Sequence, residues 1–116
     1  MNINIKGTGM DLTEAIKTYA QEKMETLQKF FDNIQHIDID VGMRSNHHNN
    51  SGSMFYAEVN MSIPGRLVRV VKEEADLYKA IDKVKDHLKV ELEQEKEKMR
   101  RKDKTVLRDQ KAYHEE

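Results

Sequence analysis

The stretch ADLYKAIDKVKDHLK, Ala75 to Lys89, decides how the rest of the chain is read. Projected at about 100° per residue, Leu77, Ala80, Ile81, Val84 and Leu88 fall in one arc, and Leu92 continues it. That arc is the face an amphipathic helix turns to a core, and Asp76 just ahead of it is a good N-cap. Lys85, Lys89 and Lys96 line the shoulder on which Tyr78 emerges, and Lys83, His87, Lys98 and Arg101 line the other. Asp82, Asp86, Glu93 and Glu97 point away from the arc. Lysine stems commonly cover the rim of a core while their ammonium groups reach water, so the shoulders alone read first as a solvated edge. Tyr78 is expected to lay its ring against the core edge with its hydroxyl near the surface.

Beyond Leu92 the apolar stripe lapses, leaving only Met99, so this helix is expected to project past the body. The expected division is a domain over residues 1–102 and a mobile tail over 103–116. Upstream, Met1, Ile3 and Ile5 alternate with polar residues as a half-buried strand does, until Gly7 and Gly9 break the pattern. Asp11 with Glu14 fits a capping box for a helix running to about Phe31. Its inner arc holds Leu12, Ile16, Tyr19, Ala20, Met24, Leu27, Phe30 and Phe31, and Lys23 falls inside that arc. Lys23 either snorkels along a neighbouring element or is held in a groove for an anionic ligand.

Ile37, Ile39, Val41 and Met43 alternate with polar residues, and Phe55, Ala57, Val59, Met61 and Ile63 repeat the pattern, giving two more half-buried strands. SNHHNNSGS, Ser45 to Ser53, reads as a polar loop between them. Pro64 and Gly65 make a tight turn into a fourth strand, with Val68 and Val70 on one face and Leu67, Arg69 and Val71 on the other. The order strand, helix, three strands, helix specifies an α+β fold, β-α-β-β-β-α. We expect a four-stranded mixed sheet with two helices packed on one face and water on the other. The first two strands, joined through a helix, are expected to pair in parallel and the rest antiparallel.

With 116 residues there is room for one core. The apolar runs fall far short of the roughly 18 residues of a membrane span, and MNINIKG lacks the features of a secretory leader, so a cytoplasmic chain without membrane contact is expected. Absence of cysteine excludes disulfides, thiolate nucleophiles and cysteine metal sites. The net charge of −1 hides a strong segregation. Residues 96–111 carry eight basic against three acidic side chains, and residues 44–72 four against one. Residues 11–40 carry three basic against seven acidic, and residues 73–95 four against eight. If the fold gathers the basic stretches, their local field suits phosphates despite the acidic total.

Catalytic signatures are missing: there is no glycine-rich phosphate loop, G-x-S-x-G motif or His-Glu pair at metalloprotease spacing. His47 and His48 are adjacent, splay apart on an extended chain and read as loop residues. Asp38 and Asp40 lie on the wet face of their strand, where general acid work is not expected. The reading is therefore a binding protein, with no enzyme activity, cofactor, metal or small-molecule substrate.

The frame MNINIKGTGMDLTEAIKTYAQEKMETLQKFF, then IPG, then ADLYKAIDKVKDHLKVELEQEKEK resembles the ribosome hibernation-promoting factors, also called ribosome-associated translation inhibitors or subunit-interface proteins. The resemblance spans Met1 to Lys98, and DLYKAID, Asp76 to Asp82, is its most specific phrase. It implies binding to the small ribosomal subunit and its rRNA where messenger and transfer RNA would lie, and steric inhibition of translation in stress or stationary phase. Carried over by position, Lys17, Lys23 and Lys29 match basic places on the first helix, and Tyr78 matches the tyrosine of the phrase. The second helix departs, reading DHLKVELEQ over residues 86–94 where members commonly carry more cations, and Thr26 replaces a commonly basic place. Lys85, Lys89 and the cluster Lys98, Arg100, Arg101 and Lys102 are the expected substitutes, with Arg66 and Arg69 as further candidate contacts. Two other classes stay open: a general double-stranded-RNA-binding module, and an adaptor whose projecting helix pairs with a partner helix. Glu91, Glu95 and Lys98 interrupt any sustained heptad seam, which weakens the adaptor.

Overall fold

A computed structural model describes the backbone of residues 2–45 and 53–114 and the side chains of residues 2–44 and 54–102. Elements follow in the order β1 (Asn2–Thr8), α1 (Glu14–Phe30), β2 (His36–Ser45), β3 (Ser53–Ile63), β4 (Arg66–Glu74) and α2 (Leu77–His114). The strands form one sheet in the order β1-β2-β3-β4. β1 pairs with β2 in parallel, and β2 with β3 and β3 with β4 antiparallel, as the connections require. The expected α+β architecture is the one observed. His47 and His48 lie outside the described residues, as do the side chains of the expected tail, residues 103–116.

Period-two alternation is what makes this sheet two-faced. Ile37, Ile39 and Val41 of β2, Ala57, Val59 and Met61 of β3, and Val68 and Val70 of β4 are buried under the helices. Leu67 and Arg69, one residue out of phase, stand exposed on the opposite face. The helices close the core with Ile16, Ala20, Met24 and Leu27 from α1, and Leu77, Ala80, Ile81, Val84, Leu88 and Leu92 from α2. Every apolar position assigned to the second helix's inner arc is buried.

Several boundaries differ from expectation for local reasons. β1 does not break at Gly7 but continues to Thr8, because Gly7 and Thr8 stay in register with Val41 and Gly42 of β2. The α1 cap is Thr13, not Asp11: the Thr13 hydroxyl accepts from the Ile16 amide at 3.2 Å, and helical dihedrals begin only at Glu14. Asp76 caps α2 as expected, accepting from the Tyr78 amide at 2.9 Å. Pro64 and Gly65 form the tight β3–β4 turn, in which Gly65 takes a φ of 74° that an L side chain resists. On the wet face Gly42 leaves room for the Tyr56 ring lying across it: a Cβ there would sit 2.5 Å from both that ring and the Thr8 carbonyl oxygen.

α2 starts at the end of β4 and runs back along it until Arg66 at the strand's start meets Glu91 at 2.7 Å and Glu95 at 3.4 Å. Among the described side chains Leu92 is its last fully buried residue, and helical backbone continues to His114. The helix therefore projects beyond the sheet, as the lapse of its apolar stripe implied, and the longest dimension of the chain is 71 Å.

Candidate nucleic-acid interface

Side-by-side packing of the helices, running in the same direction, builds a groove. Tyr19 of α1 meets Tyr78 and Asp82 of α2, and eleven residues on Phe30 meets Lys89 and Lys96. The groove encloses about 340 Å³ and is lined by Lys23, Thr26, Leu27, Lys29, Phe30, Lys85 and Lys89. Lys96 completes the row, with its ammonium 3.9 Å from the centre of the Phe30 ring. Five lysines thus follow one trough, against Asp82 and Asp86 at its upper end.

Each cation is held in a particular way. Lys23 extends along Tyr19, its ammonium 5.3 Å from the ring centre and 3.5 Å from Asp82. Lys85 pairs with its neighbour Asp86 at 2.8 Å. Among the described residues, Lys29, Lys89 and Lys96 have no carboxylate partner; Lys89 and Lys96 rest over Phe30 instead. An exposed cation–π contact contributes only about 0.5–1 kcal/mol and does not neutralise the ammonium, so these charges remain available to an anion. Asp82 is the organising group at the head of the groove. It also accepts a 2.6 Å hydrogen bond from the Tyr19 hydroxyl, which with desolvation and the carboxylate's charge pushes that phenol up to about 12.

The structure separates the candidate residues into groups. Lys23, Lys29, Lys85 and Lys89 come together. Lys17 is exposed on α1, about 120° round the helix from Lys23 and away from the groove. Arg66 is half-buried and occupied by Glu91 and Glu95. Arg69 lies on the sheet's wet face, paired with Glu58 at 2.7 Å. Lys98, Arg100, Arg101 and Lys102 sit on the projecting part of α2, where Arg101 approaches Glu97 at 3.6 Å. Tyr78 packs edge-to-face on Tyr19, ring centres 4.9 Å apart, and stays 38% exposed, so it borders the groove more than it fills the core. Thr26, Leu27, Phe30 and Lys96 are groove members outside the candidate set; Lys96 repeats the Lys85–Lys89 stripe seven residues on from Lys89.

The wet face of the sheet contrasts with the groove. Its concavity of about 410 Å³ is larger, but Asp38, Asp40 and Glu58 line it with Asn4, Lys6 and Asn60, the wrong sign for phosphate. On the same face Arg44 is occupied by Glu73 at 2.6 Å, and the His36 ring meets Asp38 at 2.8 Å. Among the described residues no three His, Asp or Glu side chains gather as a metal site would need, and no helix is long and apolar enough to cross a membrane.

Residues 3–100 match the family described as sigma 54 modulation protein / S30EA ribosomal protein. The chain belongs to this family. The S30EA match takes in α1, the sheet from Ile3 onward and α2 as far as Arg100, so the groove lies wholly within it. Among similar proteins is a ribosome hibernation promotion factor of Deinococcus radiodurans, 30% identical over 88 residues, which are 76% of this chain and 45% of that protein. A ribosome hibernation promoting factor of Pseudomonas putida is 29% identical over 98 residues, covering 84% of this chain and 89% of its own. The chain thus spans about half the length of the first relative and most of the second. A ribosomal subunit interface protein from Coxiella burnetii has a solved structure similar to this fold, with a TM-score of 0.71 and 25% identity over 83% of this chain and 98% of its own.

Proposed function

We propose that this chain is a ribosome-binding hibernation factor: it docks on rRNA of the small subunit through the inter-helix groove and occupies the path of messenger and transfer RNA, inhibiting translation under stress or in stationary phase. The observation that carries the reading is the row of Lys23, Lys29, Lys85, Lys89 and Lys96, five cations along one trough with three lacking a carboxylate partner. Such a row suits an extended polyanion rather than a single small anion, and each phosphate neutralised releases condensed counterions. Membership of the S30EA family and the names of its relatives point the same way. The action is steric occupancy in the cytoplasm, without catalysis or a cofactor.

Co-sedimentation with small subunits, large subunits and an unrelated double-stranded RNA tests the proposal. Preferential pelleting with small subunits, together with inhibition of a translation extract, is the expected result. Equal binding to any duplex would make the protein a general RNA-binding module, and no RNA binding at all would leave the projecting helix as an adaptor for a protein.

A further inference from the structure

We infer that Asp82 is a specificity-determining residue of the groove: its carboxylate closes the upper end to phosphate, so that an RNA backbone lying in the trough must turn away there. This rests on the reading of the groove as an RNA site and adds to it a rule for which RNA fits. The cations differ along the trough. Lys29, Lys89 and Lys96, without a carboxylate partner among the described residues, stand at the lower end around Phe30. Lys23 and Lys85, at the upper end, meet Asp82 and Asp86.

Of these two carboxylates Asp82 is the one fixed in place. From α1 the Tyr19 hydroxyl donates to it at 2.6 Å and the Lys23 ammonium approaches it at 3.5 Å. Tyr19 is braced in turn by the Tyr78 ring, edge-to-face at 4.9 Å. Asp86, with a side chain 69% exposed, meets its neighbour Lys85 in a surface pair that an incoming phosphate can replace. An ammonium carries three donors, so Lys23 can still reach a phosphate on its open side. It is then the last cation the backbone meets, with a held carboxylate directly behind it.

The effect of that charge is local. At 1.5 Å per residue Asp82 lies about 4 Å along the axis from Lys85 but about 21 Å from Lys96, well beyond the ~8 Å screening length at physiological salt. A backbone that ends its contact at Lys23 keeps the lower cations at full strength, while one that runs on past Tyr19 is driven against the carboxylate. A long duplex offers phosphates in every register, including those that place one on Asp82. A like charge set against the wrong partner is one of the two ways a binding site discriminates.

Asp82 also ties α1 to α2 through Tyr19. That tie needs an acceptor but no charge, and the amide oxygen of Asp82→Asn still accepts, so this variant separates the two roles. Affinities of the native chain and Asp82→Asn are compared on small subunits and on a long unrelated RNA duplex at one salt concentration, with urea midpoints confirming the fold. Asp82→Asn should bind the duplex about two- to fivefold tighter, the worth of one partly exposed charge contact, and small subunits no tighter. Asp82→Glu, which keeps the charge, should keep the native preference. Equal gains on both RNAs overturn the inference and leave the groove standing; unchanged affinities also overturn it and leave Asp82 as a helix tie alone. Should Asp82→Asn not fold, Tyr19→Phe frees the carboxylate without removing it and should weaken the preference for small subunits; an unchanged preference overturns the inference. Lys89→Gln reports on the groove in the same assay, and native affinity of that variant for both RNAs would overturn the groove reading and this inference with it.

Discussion

Lys23 shows what a single position reveals. Helical projection alone puts its charge inside the apolar arc, and two outcomes fit that: snorkelling or a groove. In the fold its stem lies along Tyr19 of the same helix and its ammonium reaches Asp82 of α2 at the groove's head. The partner was not legible, because it depends on how α1 aligns with α2, and neither helix records that alignment. The Tyr19 hydroxyl shares this acceptor, and a measurable pH effect follows. With the folded phenol raised from 10.0 to about 12, both states are neutral below about pH 10 and the stabilisation is fully present. As pH rises from 10 towards 12 only the unfolded chain ionises, so the stabilisation is lost across that window. Urea titrations should show Tyr19→Phe losing stability less steeply there than the native chain; some slope should remain from Tyr56, whose phenol burial also raises. Tyr78→Ala removes an edge-on contact with Tyr19 worth about 0.5–1.5 kcal/mol beyond the partial burial of the ring, and should lower the denaturation midpoint. Leu88→Ala, at a fully buried position, should cost about 2–5 kcal/mol. Equal losses in denaturation midpoint would show that Tyr78 belongs to the core.

At the scale of elements, periodicity was sufficient for type and face but not for every boundary. Strand alternation and the arc from Leu77 to Leu92 name the buried residues correctly because burial enforces one phase over many positions. Caps are decided by one hydrogen bond, and Asp11 and Thr13 both offer a suitable oxygen. Thr13→Ala should therefore lose about 0.5–2 kcal/mol and Asp11→Ala much less, read from thermal or urea unfolding. Gly42 was equally unreadable, since what it accommodates lies on two neighbouring strands. A methyl there collides with the Tyr56 ring and the Thr8 carbonyl, so Gly42→Ala should destabilise by about 1–3 kcal/mol. The penalty should shrink in a Tyr56→Ala background, where only the Thr8 contact remains.

Over the whole molecule, charge is sorted by surface. The helix side carries the lysine groove and the basic projecting end of α2, while the wet face of the sheet ties its arginines to Glu58 and Glu73. Sequence sums located that basic end but not the groove, because residues 11–40 and 73–95 are acidic overall and only packing brings their lysines to one line. Arg66 and Arg69 stand outside the groove, held by Glu91 and Glu95 of α2 and by Glu58 of β3. The claim that the groove is the RNA contact is tested most directly by small-subunit binding across a salt series. The native chain is compared there with one in which Lys23, Lys85 and Lys89 are all glutamine, and circular dichroism confirms that both are folded. With a slope of about 0.7–0.9 per phosphate contact, the triple substitution should flatten the dependence by about two to three units. Equal slopes would contradict the account and leave those lysines as a solvated rim.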